Sequence, residues 1–135
     1  MAGRGPAGRV ETGRSGAGKA AVGRDGESVA AGYLQRLGYT IRERNFRCPH
    51  GEIDLIASTE AYLVFVEVKT RASETPYHPT LAITEDKKRR VRMLGDYYCS
   101  QQPPSALQPR FDVVAVTLRG PQGGKPHVEH FVNAF

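Results

Sequence analysis

The sequence predicts a mixed α/β domain: one central sheet flanked by helices. Three observations lead there. Two segments carry apolar residues at three- and four-residue steps. Five others alternate or run apolar over strand lengths. Their order is helix, three strands, helix, strand, strand, with no internal repeat.

The first helix is expected over "DGESVAAGYLQRLG", from Asp25 as its cap to Gly38 just past its end. Val29, Ala30, Tyr33, Leu34 and Leu37 give it one apolar face. "YTIRERNF" (39–46) alternates well enough for a strand with a polar side. "GEIDLIA" (51–57) and "YLVFVEV" (62–68) follow, joined by a short polar turn that signals a hairpin. The stretch 70–83 holds Pro76 and Pro79 and reads as a loop. "TEDKKRRVRMLGDYYCSQQ" (84–102) is the second helix, capped by Thr84, with Val91, Leu94 and Tyr98 on one stripe. "RFDVVAVTL" (110–118) reads as a largely buried strand and "HVEHFVNAF" (127–135) as an edge.

The 135 residues suit one domain, assigned to 25–135. Residues 1–24 hold seven glycines and show no apolar periodicity, so a disordered Gly/Ala/Arg-rich tail is expected there. The tail carries +4 of the net charge of +5, leaving a domain of nearly balanced charge. A basic total therefore says little about partners; the position of each charge decides. "GRSGAGKA", from Gly13, lacks the Ser/Thr that a phosphate-binding loop needs. The longest apolar run, Tyr62 to Val66, is far too short to cross a bilayer, and no secretory signal is legible. Two cysteines, Cys48 and Cys99, make no disulfide framework, and cytoplasmic residence is the expectation. "CPH" lacks the further ligands zinc needs, and in "HVEH" a strand would point His127 and His130 in opposite directions.

The chemistry lies in the hairpin. Glu67 and Lys69 share one strand face; Glu52, Asp54 and Ile56 share one on the partner. If paired residue numbers add to an odd value near 121, Asp54 falls opposite or diagonal to Glu67. An even sum sends the two carboxylates to opposite faces. Converging carboxylates repel and favour protonation of one of them, which a hard divalent cation such as Mg²⁺ or Mn²⁺ relieves. Lys69 is then placed to face a scissile phosphate. Asp54, Glu67 and Lys69 together supply the parts of a metal-dependent phosphodiesterase. Ordinary ion pairs on a sheet face would use the same residue types.

"GEIDLIA", "LVFVEVKTR" and "RFDVVAV", with "GE" upstream and "NAF" at the end, resemble the YraN-type family of small bacterial proteins. That family in turn resembles PD-(D/E)xK nucleases, particularly archaeal-type Holliday junction resolvases. The likeness spans about residues 23–135. It implies a restriction-endonuclease-like core, with Asp54 as the first acid, Glu67 and Lys69 as the E-x-K, and Glu27 as a helix-borne acid that completes a Mg²⁺ or Mn²⁺ shell or orients water. It also implies an endonuclease acting on DNA, branched DNA included, and a homodimer to make paired incisions. A catalytically inactive nucleic-acid-binding or assembly module on the same fold is the alternative.

Lys87 falls on the apolar stripe of the second helix and should point toward the sheet and the site. Arg71, Lys88, Arg89 and Arg90 are further candidates for backbone phosphates, against a plain solvated face. Asp112 is expected as a structural partner of Arg110 or Arg42.

Overall fold

The computed structural model describes residues 18–72, 83–119 and 124–135, with side chains from Gly23 onward. The elements are α1 (Gly18–Arg36), β1 (Thr40–Cys48), β2 (Gly51–Ser58), β3 (Tyr62–Arg71), α2 (Glu85–Ser100), β4 (Gln108–Thr117) and β5 (His127–Phe131). The expected order holds throughout. Expectations for residues 1–17, for most of "GRSGAGKA" and for the loop at 73–82 lie outside the described residues.

The five strands form one sheet in chain order, β1-β2-β3-β4-β5. β3 and β4 pair in parallel, with α2 as the crossover, and every other pairing is antiparallel. The arrangement matches a restriction-endonuclease-like core. On one face α1 packs Ala30, Ala31 and Leu34 against Leu55, Val64, Val66, Val114 and Val116. On the other, Leu94 and Tyr98 of α2 pack against Ile56, Leu63 and Phe65. Alternation along β3 divides these two cores: even-numbered residues serve α1 and odd-numbered ones serve α2. Among the described residues, no helix is long and apolar enough to cross a membrane.

α1 starts earlier than expected. Asp25 lies inside it, seven residues after Gly18, and caps nothing. "GKAAV" explains the extension, since Ala and Lys favour helix. At its other end Gly38 adopts a φ of 98°. There its N–H donates to the Gln35 carbonyl and the Tyr39 N–H to that of Leu34, each at 3.0 Å. This closing loop needs the left-handed backbone that glycine adopts cheaply. Leu37, just before this turn, is 55% exposed rather than part of the apolar face.

Gly26 matters for a different reason. A Cβ there would come within 3 Å of three Thr70 side-chain atoms on β3. Only a bare backbone lets α1 approach the strand this closely, and Glu27 is thereby carried to the sheet.

α2 begins as expected. Thr84 caps it, its hydroxyl accepting the Lys87 N–H at 3.1 Å. Val91, Leu94 and Tyr98 are buried along one stripe.

Candidate functional site

The hairpin register is odd. Leu55 pairs with Val66, Ile56 with Phe65, Ala57 with Val64 and Ser58 with Leu63, so each pair of numbers adds to 121. The next pair in that series is Asp54 and Glu67. Glu67 lies on the α2 face, as Ile56 and Phe65 do, and meets Lys87 of α2 there.

The ladder stops one step short of them. Both strands continue, but β2 goes on pairing with β1 and β3 with β4. In place of a further backbone rung, the Val68 N–H donates to Asp54 Oδ2 at 2.8 Å. One carboxylate oxygen is thereby fixed to the backbone at the fork between two strands.

Burial pushes the Asp54 carboxyl up to about 7; the Glu67 charge adds to the rise, the Val68 N–H opposes it, Glu27 adds a little and Lys87 opposes. Three of the residues singled out in the sequence therefore act on Asp54 here: Glu67, Glu27 and Lys87. Glu67 is 7% exposed. Lys87 reaches it from α2, Nζ to Oε2 at 3.3 Å, with 38% of the lysine side chain in solvent. Lys87 thus points to the sheet as its place on the apolar stripe requires. Lys69 is half-buried two residues beyond Glu67 on the same face.

Among the described residues, no three Asp, Glu, His or Cys side chains are gathered closely enough to cage an ion unaided. Glu27 acts on Asp54 through its charge. Asp54, Glu67 and Glu27 form an electrostatic cluster rather than a closed ligand shell.

The basic run is less available than its composition suggests. Lys88 pairs with Glu85 at 3.2 Å, and Arg89 pairs with Asp86. Arg71 donates from Nε to Thr117 Oγ1 at 2.8 Å. Arg90 is exposed. Glu85 and Asp86 stand three residues before their partners, so this neutralisation was readable from spacing alone.

On the α1 face lies a second polar cluster that sequence reasoning found only in part. Asp112 is completely buried. Arg110 grips it with two hydrogen bonds, Nε to Oδ1 at 3.0 Å and Nη2 to Oδ2 at 2.8 Å. Arg42 instead donates to Ser58, so Arg110 is the partner. The Asn133 N–H adds a bond at 2.9 Å and His130 Nε2 another contact at 2.7 Å. His130 also meets the Tyr33 hydroxyl at 3.3 Å. It is a buried member of this network, not an ordinary edge histidine. Antiparallel pairing of Val114 with His130 brings it there, a non-local fact that "HVEH" alone does not contain. The final segment is tied down by the same region, with the Ala134 N–H on the Phe111 carbonyl and the Phe135 ring beside that of Phe111.

Comparison with known proteins places the chain. The profile described as "Uncharacterised protein family UPF0102" matches residues 26–116. The chain belongs to this family. A UPF0102 protein of Syntrophotalea carbinolica is 44% identical over 110 residues, covering 82% of this chain and 87% of the relative. One from Geobacter sulfurreducens is 43% identical over 110 residues, 82% and 84% of the two chains. One from Clavibacter michiganensis is 45% identical over 104 residues, 77% and 86%. UPF0102 membership agrees with the YraN-type resemblance carried by "GEIDLIA" and "FVEVKTR". The matched region begins at Gly26, the residue that seats α1 on Thr70.

Proposed function

We propose that this UPF0102 protein is a metal-dependent endonuclease that hydrolyses phosphodiester bonds in DNA, branched DNA included. One observation carries the reading: Asp54 and Glu67 are adjacent at the fork where β2 and β3 part, with Asp54 pushed up to about 7. A protein gains nothing in stability by crowding two acids in a half-dry fork. It gains a binding place for a hard cation.

The donor set suits Mg²⁺ or Mn²⁺, which take one or two carboxylates and fill the remaining positions with water and substrate oxygens. Asp54 and Glu67 would hold the ion, and Glu27 would add negative charge from α1. When bound, the ion would supply a Lewis acid and a more acidic water. The chain's own residues do the rest. The Val68 N–H orients Asp54 through Oδ2. Lys69, on the Glu67 face, neutralises charge that builds on the phosphate oxygens. The exposed Arg90, with Lys88, Arg89 and Arg71, would follow the sugar-phosphate backbone, giving contacts that carry no sequence preference.

The test is cleavage of labelled single-strand, duplex, flap and four-way-junction DNA with Mg²⁺ or Mn²⁺. Asp54→Asn and Lys69→Ala should each lower the rate about 100-fold or more, the scale of losing one transition-state charge contact. Cleavage that survives in both variants would assign it to another site or a contaminant.

A second reading has its own observation. The pairs Lys88–Glu85 and Arg89–Asp86 cancel much of the basic run of α2. That suits a binding or assembly module of modest affinity that cuts nothing. Salt-sensitive DNA binding without cleavage under every metal condition would favour it.

A further inference from the structure

Lys87 stands in an unexpected place. Thr84 is the cap of α2, so Lys87 is the third helical residue, where the helix dipole and capping geometry both favour an acid. Its two predecessors, Glu85 and Asp86, obey that preference. A lysine at this position loses local stability and must gain something elsewhere. What it gains is Glu67, 3.3 Å away.

The pair is lopsided. The glutamate side chain is 9% exposed, whereas that of Lys87 is 38% exposed. The acid is held by the sheet, while the base spans from core to solvent on four rotatable bonds. Removing the lysine head from Glu67 requires no movement of backbone, because water is already at hand. An ammonium and a divalent cation on the same carboxylate repel each other, so each weakens the other's hold.

We propose that Lys87 is an internal counter-cation for the metal site: it holds Glu67 while no ion is present, gives way to the ion, and then offers its ammonium to the substrate phosphate. This rests on the two-carboxylate metal reading above. It gives the protein a way to keep a buried acidic fork folded without metal. It also couples metal arrival to the release of a phosphate-binding group.

Titration calorimetry with Mn²⁺ on the wild type, Lys87→Gln and Lys87→Arg tests the idea, with the cleavage rate measured beside it. Lys87→Gln should bind Mn²⁺ about tenfold more tightly, yet cleave DNA more slowly. Lys87→Arg keeps the charge and should not gain affinity. In the wild type, which needs no variant to fold, the Lys87 ammonium resonance should shift as Mg²⁺ is added. Equal affinities together with an unmoved resonance would overturn the exchange and leave the two-carboxylate site standing. Weaker Mn²⁺ binding by Lys87→Gln would overturn it too, by making Lys87 a buttress of the carboxylates. A wild type that binds no metal would overturn both this inference and the reading beneath it.

Discussion

Asp54 and Asp112 are two aspartates on one sheet, and their surroundings treat them in opposite ways. Burial raises the carboxyl in both. At Asp112, hydrogen bonds from His130, Arg110 and the Asn133 N–H outweigh it and hold the group below its ordinary value. At Asp54 one N–H is set against the charge of Glu67, and the carboxyl rises to about 7. The residue type is the same, so the supply of donors makes the difference. A satisfied buried acid organises a core. An under-satisfied one beside another acid is a candidate functional site.

The contrast can be broken most forcefully at Asp112. Asp112→Ala leaves a buried guanidinium, an imidazole and a backbone N–H without their acceptor. It should cost about 3–5 kcal/mol in chemical denaturation, the scale for orphaning a buried charge. A loss as small as that of a surface substitution would show that the network is incidental.

Asp54→Asn should move stability the other way, raising metal-free stability by about 1–2 kcal/mol at pH 8 by removing the repulsion while keeping an acceptor for Val68. The pH dependence sharpens this. A carboxyl whose folded value is raised binds its proton more tightly in the native state, so its contribution falls as pH rises. The stability gap between wild type and Asp54→Asn should be absent near pH 4, open as pH climbs to about 7, and stay constant above. Asp112, lowered on folding, has the opposite sign, with its contribution lost only as pH falls through the ordinary carboxylate range. Urea midpoints measured from pH 2 to 9 separate the two.

The smallest effect should come from Tyr33→Phe. Its hydroxyl meets His130 at 3.3 Å, and losing it should cost about 0.5–1 kcal/mol by thermal melting. A much larger loss would mean that the network reaches further into α1 than its hydrogen bonds show.

Much of this was legible in the sequence because the signals were local or periodic. Alternation in "GEIDLIA" and "YLVFVEV" placed the hairpin, and Thr84 and the 87-91-94-98 stripe placed α2 and aimed Lys87. The register was legible only as two alternatives, and side-chain packing on both faces chose the odd one. Three features were hidden for different reasons. Asp25 looks like a cap, but helix-favouring residues before it carry α1 back to Gly18. His130 depends on a strand pairing with Asp112's strand, which no short window contains. The glycine of "GE" looks like a helix start, whereas it permits contact with Thr70, more than forty positions away.

The fork itself has a consequence for observing this protein at work. At Val68 the amide is guarded by a side chain, not by a neighbouring strand, so its protection against solvent exchange depends on what the Asp54 carboxylate is doing. Amides in the β2–β3 ladder answer to the fold, and this one answers to a single acid. Isotope exchange at one backbone nitrogen therefore reports on the Asp54 carboxylate, readable in the unmodified protein without substrate or label.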